Sequence, residues 1–289
     1  MAKKLLSLLL CTVLLLGLCC CGKTENGDNG SNTYNPDTSE ADSTSDVRTD
    51  NTVKVTVPEG YTVLRLAWLL EEKEVCTTDA FLEAVKNYDI SSRTILHSLS
   101  EKNQEQICFK LEGYLFPATY NFEKNTDPVK VIDKMLDALE SRIDADMRIR
   151  ADEMGYDVHE ILTIASIIEK EAKTQEQRSL VSSTIHNRLR KGMRLEYDVT
   201  VKYCTQVIEV QYPDKIDFYK YYYNGNRVDG IIAGPICNPG LESINAALYP
   251  EDTDYLFFVI DTSEPYHDAF AETYEEHLKN VEKWKNGEL

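Results

Sequence analysis

Positive charge is scarce in this chain of 289 residues: 31 Lys and Arg stand against 49 Asp and Glu, for a formal net charge of −18. An acidic surface repels phosphate backbones and no basic stripe interrupts it, which excludes nucleic-acid binding. Cysteine is sparse beyond the N-terminus. Cys76, Cys108, Cys204 and Cys237 lie far apart and none are spaced as CxxC, which argues against zinc and leaves their pairing into disulfides open. The five histidines are scattered; His267 and His277 sit close to a helix without a third ligand or a nucleophile motif, so they read as satisfied structural histidines. No GxSxG, P-loop or dinucleotide fingerprint occurs, and no cofactor is expected. There is no long internal repeat. The apolar run Leu5 to Leu18 is too short to span a bilayer comfortably.

That run, preceded by Lys3 and Lys4, has the form of a signal-peptide core. It ends in Cys19-Cys20-Cys21-Gly22 and resembles a bacterial lipoprotein signal, in which the peptidase cuts before a cysteine that becomes acylated. Cys21 fits best, with Leu18 three residues before it and Gly22 after it, although Cys20 stands where Gly or Ala is usual. Residues 1–21 are therefore expected to be a lipoprotein-type signal, with acyl chains on Cys21 holding the protein to the extracytoplasmic face of the bacterial cell membrane. A simple signal peptide or an uncleaved anchor would change the tether but not the compartment. Residues 22–52 are polar and acidic with scarcely an apolar side chain, and read as a flexible linker.

About 235 residues remain, enough for one large domain or a small one followed by a larger one. Val53 to Val57 alternates as a short strand, Pro58-Glu59-Gly60 turns, and Leu64 to Glu72 reads as a helix with Leu66, Leu69 and Leu70 inward. A second helix is expected from Thr78 to about Asn87. Further on, a helix is expected from Asp157. At about 3.6 residues per turn, Ile161, Leu162, Ile164, Ala165, Ile168 and Ala172 form an apolar stripe, and Glu169 falls inside it. A carboxylate there either pairs with an Arg or Lys and fixes the packing, or is desolvated, keeps its proton near neutral pH and can protonate a leaving oxygen. Glu171, flanked by Ile164 and Ile167, is a weaker rival.

Several blocks resemble one family. Leu111-Glu112-Gly113-Tyr114-Leu115-Phe116-Pro117-Ala118-Thr119-Tyr120 is similar to the LEGYLFPDTY signature of the endolytic murein transglycosylases of the MltG type, also called YceG-like, with Ala118 in place of Asp. Ala165 to Ala172 resembles that family's ASIVEKEA helix, whose first Glu is catalytic and falls on Glu169. Asn187-Arg188-Leu189 with Gly192 to Leu195, Asp198 to Val201, Gly234 to Gly240 with Ala246 to Leu248, Asp252 to Val259, and the His267 to Val281 pattern follow in family order. The departures fall in loops that would line a glycan cleft by family analogy. Ile232 and Ala233 replace two prolines, Tyr223-Asn224-Gly225-Asn226 replaces YNTY, and Glu196-Tyr197 with Val199 replaces Gln-Ser and Pro around DPTV.

The resemblance implies an α+β protein, with a small LysM-like β-α-α module (residues 53–105) followed by a larger mixed α/β catalytic domain (residues 106–289). It implies an endolytic lytic transglycosylase that cuts the MurNAc-GlcNAc β-1,4 bond of nascent peptidoglycan strands, leaves 1,6-anhydro ends and accompanies penicillin-binding proteins. Glu169 would be its acid and base, and Glu112, Asp198, Thr200, Tyr223, Asn224 and Asn238 are the expected substrate contacts. The residues alone leave other readings open. The Asn and Gly positions suit turns, Tyr219 to Tyr223 suits a half-buried strand, and Glu112 suits a carboxylate capping backbone donors or a partner of Glu169. The cluster Arg188, Arg190, Lys191 and Arg194 suits a solvated helix face or a contact with stem-peptide carboxylates. A surface lipoprotein that binds glycan without turnover is the alternative function.

Overall fold

Strand β1 (Thr52–Thr56) turns Val55 into the core and its threonines outward, the alternation expected of a half-buried strand. Its partner is not local. It pairs antiparallel with β2 (Thr119–Glu123), placing Val53 opposite Phe122 and Val55 opposite Tyr120, cross-strand apolar pairs that fix the register. The computed structural model describes residues 51–260 and 268–289. The expected signal peptide, Cys21, most of the linker and His267 lie outside these residues.

Between the two strands run α1 (Val63–Glu72), α2 (Thr78–Asn87) and a short α3 (His97–Ser100). Thr62 and Thr77 cap α1 and α2, each accepting from a backbone N–H of the first turn. Leu66 and Leu70 are buried and Leu69 is half-buried, close to the inward set expected from sequence.

After β2 the chain is mainly helical. Helix α4 (Pro128–Glu140) starts on an Asp127 cap with proline at its first position. Helix α5 (Ala145–Met154) ends on Gly155 in the left-handed region. Helices α6 (Val158–Glu171) and α7 (Gln175–Arg190) each begin with a reciprocal capping box, Asp157 with Glu160 and Thr174 with Gln177. Helix α8 (Asp198–Tyr203) continues through a π-helical turn at Cys204–Ile208 into α9 (Glu209–Gln211).

Helix α10 (Ile216–Tyr223) occupies the segment also read as a half-buried strand. Tyr219 and Tyr223 are buried four residues apart while Phe218 and Tyr221 are exposed, which is helical spacing and corrects the strand reading. Helix α11 (Leu241–Leu248) packs chiefly on α6. A β3 (Phe257–Ile260) and β4 (Asp268–Ala271) hairpin pair and α12 (Tyr274–Asn286) complete the described chain.

The architecture is thus a mixed helix and sheet fold with a helical core and two small two-stranded sheets. Ile161, Leu162, Ile164, Ala165, Ile167 and Ile168 of α6 are almost wholly buried, so α6 is the central helix on which the candidate site is mounted.

Candidate active site

Helix α6 stays sealed until Ile168 and emerges at Glu169, which is half-buried. The carboxyl does not lie in the apolar stripe as expected. Its helix ends two residues later, and α11 presents its N-terminus at that point. Glu169 Oε2 accepts from Ser243 Oγ at 2.6 Å and from Gly240 N–H at 3.2 Å. Arg178 Nε donates to Ser243 Oγ at 3.2 Å, and Arg178 Nη1 is 3.0 Å from Glu242 Oε2. Arg178 thereby holds the serine that holds the carboxyl. Oε1 of Glu169 accepts no hydrogen bond among the described residues, where both bonds to the carboxyl go to Oε2, which leaves it as the oxygen able to give or take a proton.

A second carboxyl reaches the same place from the Pro58-Glu59-Gly60 turn. A Cβ added at Gly240 would fall 2.0 Å from Glu59 Oε1, so the Glu59 head lies directly on the glycine that donates to Glu169. Burial there raises the Glu59 carboxyl, the charge of Glu169 adds to the rise, and Arg178 opposes it. Gly60 has φ +75, and a Cβ on it would be 3.6 Å from Glu169 Cγ. Glycine at 60 therefore serves the left-handed turn, and the contact with Glu169 would be an ordinary one for a larger residue.

Four of the expected glycan contacts are inside the protein, and their side chains are used there. Asn238, fully buried, accepts at Oδ1 from Gly113 N–H (2.9 Å) and Leu115 N–H (3.0 Å) and donates from Nδ2 to Tyr61 O (2.9 Å). Glu112 accepts from Val63 N–H at 2.9 Å and from Tyr203 Oη–H at 3.0 Å, the backbone-capping role; it does not touch Glu169. Burial pushes its carboxyl up to about 8 against the pull of those donors. Thr200 donates to Tyr197 O and accepts from Gly225 N–H. Tyr223 accepts from Cys108 N–H at 3.2 Å. None of these four can meet a glycan in this conformation, because the atoms that would bind it are buried and already bonded. Asn224 closes α10 and accepts from Asn226 N–H, a local turn bond.

Asp198 is exposed but joins Glu171 rather than Glu169. Burial pushes Glu171 up to about 7, with Lys202 lowering and Asp198 raising it. Both carboxyls line a separate cavity of about 290 Å³ with Arg188 and Phe257. Of the basic cluster, Arg190, Lys191 and Arg194 are exposed, as a solvated face would be, whereas Arg188 is buried, donates to Leu256 O (2.7 Å) and Leu195 O (2.6 Å), and stacks on Phe257. Arg194 is paired with Asp229 at 2.7 Å. His277 stacks on Phe257, but its Nδ1 is buried without a partner among the described residues, contrary to a satisfied structural histidine. The four cysteines carry no disulfide, and no group of three or more metal-ligating side chains converges among the described residues.

Sequence reasoning missed Glu59, Arg178 and Ser243. Their available signals were a PEG turn after a strand and a glycine opening a helix with Glu242 and Ser243 in its first turn.

A half-buried carboxyl held by Ser243 and Gly240, with the Glu59 carboxyl beside it, on a mostly helical mixed fold, defines the class of site. The chain belongs to the YceG-like family, whose profile matches residues 17–283. It is 32% identical over 254 residues to the endolytic murein transglycosylase of Streptococcus pneumoniae serotype 2 (strain D39 / NCTC 7466), covering 81% of this chain and 45% of that protein. It is 36% identical over 197 residues to the endolytic murein transglycosylase of Bacillus subtilis (strain 168), covering 66% of this chain and 52% of that protein. The chain thus spans about half the length of these relatives. The crystal structure of a yceG-like protein of Listeria monocytogenes superposes with a TM-score of 0.66 at 33% identity, covering 78% of this chain and 75% of that one.

Proposed function

We propose that this protein is an endolytic peptidoglycan lytic transglycosylase that cuts the MurNAc-GlcNAc β-1,4 bond and leaves 1,6-anhydroMurNAc ends, with Glu169 as acid and base. The observation that carries this reading is the half-buried Glu169 carboxyl, fixed through Oε2 by Ser243 and Gly240 while Oε1 is left without a hydrogen bond among the described residues. The names of its relatives support the reaction class.

Most glycosidases need two carboxyl groups. Here the muramyl C6 hydroxyl is the nucleophile, so one group can serve twice. The bond from C1 to the leaving oxygen breaks as Glu169 Oε1 delivers its proton to that oxygen, and the C6 oxygen then bonds to C1 and returns its proton to the carboxylate. No water is consumed. An intramolecular nucleophile carries a high effective concentration, which lowers what the protein must contribute beyond positioning.

The wider reading includes a lipid anchor at Cys21 after a signal of residues 1–21, a linker over 22–52, a LysM-like subdomain over 53–105 and a catalytic domain over 106–289. The protein would act on nascent strands at the extracytoplasmic membrane face beside penicillin-binding proteins. Glu171 offers a second reading of the acid, because burial holds its carboxyl at about 7 beside Asp198.

The test is mass analysis of products from un-crosslinked peptidoglycan strands treated with the full chain, with Glu169→Gln and with Glu171→Gln. Internal fragments with 1,6-anhydro ends, lost in Glu169→Gln and retained in Glu171→Gln, are expected. Loss only in Glu171→Gln would move the acid. Reducing ends would mean hydrolysis, and binding without cleavage by the wild type would favour the glycan-binding lipoprotein.

A further inference from the structure

Among the described residues, three exposed cations from three different helices converge on one cleft. Arg65 of α1, Lys170 of α6 and Lys202 of α8 all line one cleft of about 440 Å³, together with Trp68 and Val207. All three cations are exposed, and none forms an ion pair among the described residues. In a protein of net charge −18, three exposed cations around one cavity, with Lys202 near Glu171 and Lys170 near Glu112 but neither in an ion pair among the described residues, are arranged for an anion that comes from outside. Trp68, 49% exposed, adds a flat apolar wall. The π-helical turn at Cys204–Ile208 supplies Gln206 and Val207 to the lining, a local widening of the kind common at binding sites.

The cleft adjoins the candidate acid. Lys170 follows Glu169 in sequence and donates to Gly60 O at 3.2 Å, and a Cβ on Gly60 would meet both Glu169 Cγ at 3.6 Å and Lys170 Nζ at 3.7 Å. A muramyl sugar attacked at C1 beside Glu169 carries its peptide from a nearby ring carbon, so the carboxylates of that peptide fall within reach of the cleft.

We propose that the cleft between α1 and α8 binds the anionic stem peptide of the muramyl residue being cleaved, with Arg65, Lys170 and Lys202 receiving its carboxylates and Trp68 packing on its apolar side. This rests on the transglycosylase reading. It makes the protein selective for peptide-bearing strands over bare glycan, and it assigns the stem-peptide role to these cations in place of the Arg188 and Arg194 cluster, whose two arginines are already engaged.

The experiment uses the full chain carrying Trp284→Phe, which leaves Trp68 as the sole tryptophan reporter. Fluorescence titration compares a muramyl disaccharide bearing a tetrapeptide with the same disaccharide without it. About tenfold tighter binding of the peptide form is expected, weakening as salt rises, and Arg65→Gln with Lys202→Gln is expected to abolish the difference. Lys170 is left in place because it also holds Gly60. Equal affinity for the two ligands, or a difference that survives in the double variant, would overturn the proposal. Loss of binding to phosphatidylglycerol vesicles in the double variant, with peptide discrimination intact, would overturn it in favour of a membrane contact. If discrimination is present and strands are not cleaved, the cleft stands and the transglycosylase reading fails.

Discussion

Replacing Glu112 by Gln should make the protein more stable at neutral pH, although it removes a hydrogen-bonded carboxylate. Glu112 is 1% exposed, and burial raises its carboxyl from 4.5 to about 8. Because the folded value is the higher one, the folded state binds the proton more tightly than the unfolded chain. The stabilisation from that proton is full below about pH 4.5, shrinks as the pH rises towards about 8, and is gone above it. Each pH unit inside this window is worth about 1.4 kcal/mol, so moving from pH 4.5 to pH 7 costs the folded state about 3 kcal/mol through this one group. Glutamine mimics the protonated acid. Its carbonyl accepts from Val63 N–H and its amide donates to Tyr203 Oη. Urea denaturation of the wild type and Glu112→Gln at pH 5, 6, 7 and 8 measures the difference, which should be small at pH 5 and reach about 3 kcal/mol in favour of Gln at pH 7. A difference that stays constant with pH, or one that shifts towards the wild type as pH rises, would refute the reasoning. Either would show that Val63, Tyr203 and Lys170 together stabilise the ionised form.

Gly240→Ala should push the Glu59 head off the start of α11, since the new methyl would fall 2.0 Å from its oxygen. The fold should survive, with Tm within about 3 °C of wild type, because Gly240 has an ordinary φ of −76 and the clashing atom ends a flexible side chain. Glu59→Ala should change turnover by the same factor and add nothing in the double variant; additive losses would separate the two effects. Asn238→Ala should strip partners from two buried N–H groups and one carbonyl, at about 3 kcal/mol or more. In thermal unfolding that corresponds to a Tm drop of about 10 °C, and a drop under a few degrees would mean that water replaces the amide.

Local patterns showed where helices run but not which distant segments meet. The apolar spacing of α6 and its Asp157 and Glu160 cap are both present in the sequence, and the first strand and two helices lie within a residue or two of expectation. The environment of Glu169 was not legible, because it depends on α11 arriving about 70 residues later with a glycine at its start. For the same reason Asn238 passes for a turn former or a sugar ligand until the loops at Tyr61 and Gly113 are brought to it. Tyr223 and Thr200 carry hydroxyls that suit a glycan equally well, and only their burial shows that backbone groups use them.

The three bonds of Asn238 have an evolutionary consequence. One side chain measures the spacing of three turns that are far apart in sequence, at Gly60-Tyr61, at Gly113 to Leu115 and at its own position. Strand β1, immediately before the first of these turns, is zipped to β2 just after the second. A change of length in any one turn must be matched in the other two, or Glu59 and Gly60 drift away from Glu169. Residues 51–105 therefore cannot be traded between relatives as a cassette: a transplanted segment will function only if it brings a turn of the same length and is received by loops already cut to fit it.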